Sequence, residues 1–252
     1  MPTNASVPAV EKALTIIQHM SASPKTYWGV TELAKELQLN KSTVYSILNT
    51  MIPFGFIEKN QTTERYSLGY GLFDLVENYY ESNPIRSAFE TVVEPFHHKL
   101  PECINCFILR NDMAYILCSF SSNNYALKVE MPVGTFLPPI YSSAGKILLS
   151  GLSDDNLKKI YDICLEEPAA KEAPPFADFL AQIHSIRENQ HAFNLSEYEN
   201  GICSVAAPIK NRTNQIIAAV NMVAPEARFN KNKEIYLHHI KEIAKKISEK
   251  LI

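Results

Sequence analysis

Hydrophobic and polar positions along the first 70 residues predict three helices followed by a β-hairpin. The first helix is predicted to end near Met20. Pro53 and Gly55 end the third helix, and the apolar runs 56–59 and 65–68 flank a polar turn. This order of elements predicts a winged helix-turn-helix. The apolar positions at helical spacing are Val10, Ala13, Leu14 and Ile17 in the first helix, Leu33, Ala34 and Leu37 in the second, and Val44, Ile47, Leu48 and Met51 in the third.

A fourth helical pattern extends from Gly69 to about Glu81 and ends before Pro84. Because the hydrophobic pattern changes after this point, we interpret the segment as a linker helix. We therefore predict a winged helix-turn-helix domain over residues 1–69, a linker helix over 70–84 and a second domain over 85–252.

The second domain is predicted to be α+β, because strand patterns joined by polar turns lie between helical patterns. Two of these turns, 110–112 and 210–215, are typical of hairpins. Strands are predicted at 104–109, 113–120, 125–130, 203–209 and 216–223, and helices at about 85–100, at 143–150, from Ser153 onward, and at the end of the chain around 240–251.

Composition and charge are those of an ordinary globular protein, with 46% hydrophobic and 20% charged residues. The net charge is −3, and residues 1–70 hold six basic against five acidic side chains, so DNA binding would have to depend on local charge. No run of about 18 apolar residues occurs, and five scattered cysteines fit a reducing compartment better than disulfides. We therefore expect a cytoplasmic protein that does not contact membranes.

The third predicted helix has a donor-rich surface opposite its apolar side. Such a helix fits a major groove about 12 Å wide, where hydroxyl and amide groups contact phosphates and base edges. The alternative is a small helical subdomain whose outer face is only solvated. The candidate DNA-binding residues are Thr31 at the start of the second helix, Lys41, Ser42, Thr43, Tyr45, Ser46 and Asn49 on the third, and Lys59 and Arg65 beside the tip of the wing.

Segments spread over nearly the whole chain resemble the isocitrate lyase regulator (IclR) family of bacterial transcription regulators. They are VPAVEKAL at 7–14, TELAKELQLNKSTVYSIL at 31–48, YSLG at 66–69, SAGKILL at 143–149, GICSVAAPI at 201–209, and AAV through AP at 218–225. The resemblance implies a winged helix-turn-helix, a linker helix and a C-terminal α/β (GAF-like) effector-binding domain. It also implies a homodimer or dimer of dimers that binds a double-stranded DNA operator.

Two positions depart from the family pattern in the DNA-reading part. The family commonly has Gly in the turn of the helix-turn-helix, where this chain has Gln38, and a positive φ there would cost about 1 kcal/mol. It commonly has Arg on the recognition helix where this chain has Ser46. Because Arg can grip guanine with two hydrogen bonds and Ser cannot, the operator sequence is not transferable.

The resemblance also implies an effector site that binds a small carboxylate or aromatic acid. Its backbone amides come from the start of the helix that begins near Ser143, since a helix N-terminus attracts anions. Val223 is apolar where some relatives have Ser. The alternative for Ser204 and Asn221 is that they are strand residues with satisfied hydrogen bonds. The candidate effector-binding residues are Ser143, Ala144, Asn194, Ser204 and Asn221.

The sequence lacks the motifs of a phosphate loop, a zinc site and a serine hydrolase. We therefore expect no cofactor, no metal and no catalytic residue. Gly145-Lys146 has neither the preceding Gly nor the following Ser or Thr of a phosphate loop. Cys103 and Cys106, with histidines at 97–98, have no second ligand pair at zinc-finger spacing, which favours buried strand cysteines. Ser204 is not in a Gly-x-Ser-x-Gly elbow.

The sequence thus predicts a ligand-responsive DNA-binding regulator, a repressor of a catabolic or metabolic operon, and not an enzyme. The alternative is a small-molecule-binding or enzymatic α/β protein whose helical head binds a partner protein.

Overall fold

The computed structural model describes residues 7–96, 100–121, 127–166 and 173–251, together with the backbone but not the side chains of Tyr80 and Glu81. The chain divides into two compact units, Met1–Ser82 and Asn83–Ile252. Each unit has its own hydrophobic core.

The first unit has the element order of a winged helix-turn-helix. Its core contains the predicted apolar positions Leu33, Val44 and Leu48, which are fully buried. The predicted linker helix is present and begins two residues later than expected. The elements are α1 (Pro8–Ala22), α2 (Val30–Glu36), α3 (Lys41–Met51), a 3₁₀ turn (Ile52–Phe54), β1 (Ile57–Lys59), β2 (Tyr66–Leu68) and α4 (Gly71–Ser82).

Trp28 forms an isolated antiparallel β-bridge with Tyr66 of the wing, which the hydrophobic pattern did not reveal. Its N–H and C=O both bond to Tyr66, in each case over 2.8 Å, and the two side chains are buried in the core. The loop before α2 is thereby fixed to β2. One bridge is too short to give a period-two pattern, which explains why the sequence predicted no strand here.

The turn between α2 and α3 is a Schellman motif. Leu39 N–H bonds to Ala34 O over 2.9 Å, Gln38 N–H lies 3.4 Å from Lys35 O, and Gln38 has φ +55°. The left-handed position predicted for Gln38 is therefore present, and a residue with a Cβ occupies it.

The second unit is built on one six-stranded antiparallel sheet with the order β5-β4-β3-β8-β7-β6. Asn111 and Asp112, both with positive φ, form the tight turn between β3 and β4. The elements are α5 (Pro84–Val93), a 3₁₀ turn (Glu94–Phe96), β3 (Cys103–Arg110), β4 (Met113–Phe120), β5 (Phe136–Leu137), a 3₁₀ turn (Pro139–Tyr141), α6 (Ser143–Ser150), α7 (Asp154–Leu165), α8 (Phe176–Asn189), β6 (Ala192–Leu195), β7 (Ile202–Lys210), β8 (Ile216–Pro225) and α9 (Glu226–Lys250).

Helices cover both faces of this sheet, so the strands are buried on both sides. One face packs on α5 and α9, with Val205 and Val220 among its contacts. The other packs on α6, α7 and α8, with Ala206 and Ala219. The predicted α+β class is confirmed, and the alternation along β7 and β8 decides which side chains lie under α6.

A buried ion pair fixes α9 to the start of β3. Glu102, only 1% exposed, accepts from Arg228 Nε over 2.7 Å and Nη2 over 3.0 Å. Tyr236 Oη donates to the same carboxylate over 3.0 Å. Burial, with the nearby Glu102 charge, raises the pKa of the Tyr236 phenol and keeps it a donor at neutral pH.

Three details of the second unit differ from the predictions. The helix expected over 85–100 ends at Val93, one residue before the 3₁₀ turn that contains Pro95, and 97–99 lie outside the described residues. The strand expected over 125–130 is wrong in its described part, because 127–130 pair with no strand. Leu127 lies largely exposed there, and its carbonyl accepts from Arg228. Helix α8 and strands β5 and β6 were not predicted.

We predict that Gln38→Gly stabilises the first unit by about 1 kcal/mol, because glycine adopts φ +55° without the strain of a Cβ. Trp28 is the single tryptophan of the chain and lies in this core. Its fluorescence during urea unfolding therefore reports the change.

The matched control is Gln38→Ala, which keeps a Cβ at the left-handed position and is expected to stay within about 0.5 kcal/mol of the wild type. A loss of stability in Gln38→Gly would show that the side chain, not the backbone, decides this turn.

Candidate DNA-binding and effector-binding sites

The outer face of α3 is open to solvent, as a recognition helix requires. Lys41, Ser42, Tyr45 and Ser46 are exposed, and Tyr45 retains 52% of its surface. Thr43 is half-buried, while Thr31 near the start of α2 is exposed. The candidates thus offer solvent-accessible hydroxyl groups, the ammonium group of Lys41 and the aromatic ring of Tyr45.

Two side chains of α3 bond to their own helix. Asn49 Nδ2 donates to Tyr45 O over 3.0 Å, and Thr50 Oγ1 donates to Ser46 O over 2.7 Å. The half-buried Asn49 therefore keeps its Oδ1 as the atom that can accept from a base or water. Reading an adenine with both amide atoms would first break the bond to Tyr45.

The two basic residues of the wing are both in ion pairs. Lys59 Nζ pairs with Glu64, which raises the pKa of the lysine. Arg65 Nη2 lies 2.7 Å from Glu32 Oε2 and 3.3 Å from Tyr27 O. A phosphate would therefore compete with carboxylates that already lie beside both cations.

Glu32 links the start of α2 to the wing and to the loop before it. Its carboxylate accepts from Gly29 N over 2.9 Å, Lys25 Nζ over 2.6 Å and Arg65 Nη2 over 2.7 Å. The hydrogen bond from Lys25 is the main cause that lowers the pKa of Glu32 to about 2, followed by the bond from Gly29. No pattern in the sequence indicated this role for Glu32.

The N-terminus of α6 is held close to the preceding 3₁₀ turn. Ser142 Oγ caps the helix by accepting from Gly145 N over 2.9 Å. A Cβ on Gly145 would lie 2.2 Å from Pro139 O, so only glycine permits this approach. The amides of Ser143 and Ala144 belong to the first turn, where a helix provides no internal acceptor.

Ser143 and Ser204 come together beneath α6. Their hydroxyl oxygens lie 2.7 Å apart, and both side chains are buried. Ser204 lies on the sheet face that packs on α6, where it pairs with Asn194 on one side and Val223 on the other. Two of the predicted effector residues, from distant parts of the chain, are thus in direct contact.

Asn221 lies on the same sheet face and bonds to a residue that was not predicted. Asn105 Nδ2 donates to Asn221 Oδ1 over 3.1 Å, and both side chains are buried. The thiol of Cys103 contacts Asn105 Oδ1 and Ser119 Oγ, each over 3.4 Å. A single Asn between apolar neighbours in a predicted strand is the signal that could have indicated Asn105.

Asn194 forms hydrogen bonds to main-chain groups next to the candidate effector site. Its Nδ2 donates to Tyr141 O, and its Oδ1 accepts from Glu197 N over 3.2 Å. The carboxylate of Glu197 pairs with Lys146 of α6, which is the one buried cation among the described residues. Both ends of the Asn194 amide are therefore engaged by groups of the protein.

The five cysteines are free and buried, which confirms the prediction for Cys103 and Cys106. Burial raises the pKa of the Cys103 thiol, so it is protonated at neutral pH. Within the described ranges, no group of three metal-ligating side chains occurs; histidines 97 and 98 lie outside them. No helix in the described part is long and apolar enough to span a membrane.

Two family models match the chain in the order of its units. The model of the IclR helix-turn-helix domain matches residues 9–61. The model of the bacterial transcriptional regulator IclR C-terminal domain matches residues 77–249, more than half of the chain. The chain belongs to the IclR family. It is therefore a DNA-binding transcription regulator with a C-terminal effector-binding domain.

Curated IclR-family relatives are similar along most of their length. HTH-type transcriptional regulator KdgR of Escherichia coli K12 is 26% identical over 249 residues, which cover 98% of this chain and 93% of that protein. HTH-type transcriptional repressor AllR of Salmonella typhimurium is 24% identical over 249 residues, with 96% and 89% covered. The Pca regulon regulatory protein of Pseudomonas putida is 22% identical over 226 residues, with 89% and 77% covered.

Solved IclR-family structures share the fold. The IclR transcriptional regulator of Alicyclobacillus acidocaldarius matches with a TM-score of 0.83 and 20% identity, covering 98% of this chain and 100% of that one. An IclR homologue of Microbacterium hydrocarbonoxydans in complex with 4-hydroxybenzoate matches with a TM-score of 0.79 and 18% identity, covering 96% and 98%. The predicted winged helix-turn-helix followed by an α/β domain is confirmed.

For this IclR-family chain, we predict that the stability difference between wild type and Glu32→Gln depends on pH. The Glu32 pKa is lowered from 4.5 to about 2 in the folded protein, so its charge stabilises the first unit above pH 4.5. This contribution is lost as the pH falls from 4.5 toward 2. Urea unfolding followed by Trp28 fluorescence between pH 7 and pH 3 measures the difference.

Glu58→Gln is the matched control, because Glu58 is exposed on β1 and forms no ion pair with the described residues. We expect it to change stability little at any of these pH values. A Glu32→Gln difference that is the same at pH 7 and pH 3 would contradict the assigned role of the charge.

Proposed function

We propose that this regulator represses a catabolic or metabolic operon and that a small carboxylate or aromatic acid bound in its C-terminal domain controls the repression. The observation that carries the proposal is the set of buried polar groups at the start of α6, where Ser143 and Ser204 lie in contact. Buried hydroxyls and free helix-terminal amides suit a ligand rich in oxygen.

In this proposal the effector carboxylate accepts from the amides of Ser143 and Ala144. Ser204 and Asn221 contribute hydrogen bonds from the sheet below. The effector would replace the Ser143–Ser204 hydrogen bond, since both hydroxyls are buried and otherwise satisfy each other. Asn194 positions the segment around Glu197 and contacts the ligand less directly than predicted, because both ends of its amide are engaged.

DNA binding is proposed to depend on α3. Lys41 contacts a phosphate, while Ser46 and Asn49 face base edges and Tyr45 contacts sugar or a thymine methyl group. Thr31, Ser42 and Thr43 add hydroxyl contacts. Since Lys59 and Arg65 are already paired with carboxylates, they contribute less than their position suggests.

We further propose that the protein acts as a homodimer or dimer of dimers that binds a double-stranded operator. Helix α4 supports this, because one short helix exposes an unusual amount of apolar surface in the single chain. A second subunit would also double the modest positive charge near the DNA. The exposed apolar side chains of α4 are Phe73, Leu75, Val76 and Tyr79.

The proposal is tested by mobility shift on DNA upstream of the gene at two salt concentrations, with Lys41→Ala and Ser46→Ala. We expect Lys41→Ala to weaken binding on all sequences and to flatten the salt dependence, because a phosphate contact is lost. Ser46→Ala is expected to change the ranking of operator variants.

Lys245→Ala is the control, since it removes the same charge from an exposed position on α9. Equal losses for Lys41→Ala and Ser46→Ala on every sequence would contradict the assigned roles. Absence of binding at low salt would favour the alternative in which the helical head binds a protein partner.

A further inference from the structure

A row of polar side chains crosses three strands of the sheet, and those of Asn105 and Asn221 are buried while that of Ser119 is half-buried. Ser119 on β4, Asn105 on β3 and Asn221 on β8 lie opposite one another in the register. Cys103 lies two residues before Asn105, on the same face, and contacts both Asn105 and Ser119. The row is uninterrupted and ends at a predicted effector residue.

The hydrogen bonds along this row have a direction. The protonated thiol of Cys103 donates to Asn105 Oδ1, so the Asn105 amide must turn its Nδ2 toward β8. There it donates to Asn221 Oδ1. The Asn221 amide is thereby fixed with its Oδ1 engaged, and its Nδ2 is the atom that remains available.

The Nδ2 of Asn221 has no protein partner in the described part of the chain, although the residue is only 4% exposed. It lies on the face that α6 covers, and Ser204 is its diagonal neighbour across β7 and β8. This nitrogen is not among the fully buried side-chain atoms that lack a partner, so it stays accessible to a bound molecule that supplies an oxygen.

We propose that Asn105 is a specificity-determining positioning residue: through Cys103–Asn105–Asn221 it presents an amide donor, so the site selects acids that carry a second acceptor oxygen. This inference rests on the proposed effector site and adds the chemical class that the site prefers. Asn105 acts through Asn221 and does not touch the effector itself.

The experiment compares pairs of acids of similar shape that differ in one acceptor oxygen. The pairs are 2-oxobutanoate with 2-methylbutanoate and 4-formylbenzoate with 4-ethylbenzoate, titrated calorimetrically into the full-length protein. In the wild type we expect the acceptor-bearing acid of at least one pair to bind about tenfold more tightly, because its analogue leaves the Asn221 donor unpaired.

Four variants separate positioning from packing. We expect Asn105→Leu to reduce the preference to below about threefold, because Asn221 is then free to turn over. Cys103→Ala should lower it partly, and Cys103→Ser, which restores a donor, should recover it. Cys106→Ala is the matched control, a buried cysteine of the same strand on the opposite face. It should keep the wild-type preference.

A wild-type preference that survives in both Asn105→Leu and Cys103→Ala would overturn the inference, as would an equal loss in Cys106→Ala. If Asn105→Leu does not fold, as judged by its thermal midpoint, the two Cys103 variants decide. Equal affinity of the wild type for the two members of every pair that binds overturns this inference and leaves the proposed function standing. Binding of none of the four acids would contradict the proposed effector class as well.

Discussion

Polar groups buried between a helix and a sheet must find partners, because each unpaired donor or acceptor costs roughly 1–3 kcal/mol. In the second unit this constraint acts where α6 meets the sheet. Ser142 caps α6, Ser143 bonds to Ser204, and Asn105 bonds to Asn221. Glycine at 145 lets the helix start close to the 3₁₀ turn that precedes it. The proposed effector site is the place where this set of hydrogen bonds leaves donors available.

In the first unit, a charged side chain provides the partner for several polar groups. A single carboxylate, Glu32, draws together a loop lysine, the arginine of the wing and the amide before α2. The wing is held in place, but its cations are partly neutralised. Because residues 1–70 carry little excess positive charge, the exposed face of α3 and the proposed second subunit become more important for binding DNA.

Helical periodicity and turn residues were enough to predict most elements, including α3, α6 and the hairpin of β3 and β4. Helix α8 was missed although Phe179, Ile183 and Ile186 are buried along it. Strands β5 and β6, with two and four residues, are too short to show a pattern. The mixed helix-and-strand class of the second unit was predicted, but the order of the strands in its sheet was not.

The candidate site was only partly accessible from sequence. Family resemblance indicated Ser143, Ser204 and Asn221, but the bond between Asn105 and Asn221 joins residues 116 positions apart. Such a partnership depends on strand register, which a single sequence does not specify. The ion pairs of Lys59 and Arg65 were missed for the same reason. The number of acidic side chains in residues 1–70 was known, but not which of them lie beside the two cations.

The proposed regulation requires that effector binding and operator binding are coupled within one protein. Thermodynamic linkage requires this coupling to be reciprocal. The most direct measurement is the effector Kd of the full-length protein, with and without saturating operator DNA, beside the operator Kd with and without saturating effector. We predict that a repressor released by its effector shows both constants raised by the same factor, about fivefold or more. An effector Kd that is unchanged by DNA would show that the ligand does not control DNA binding.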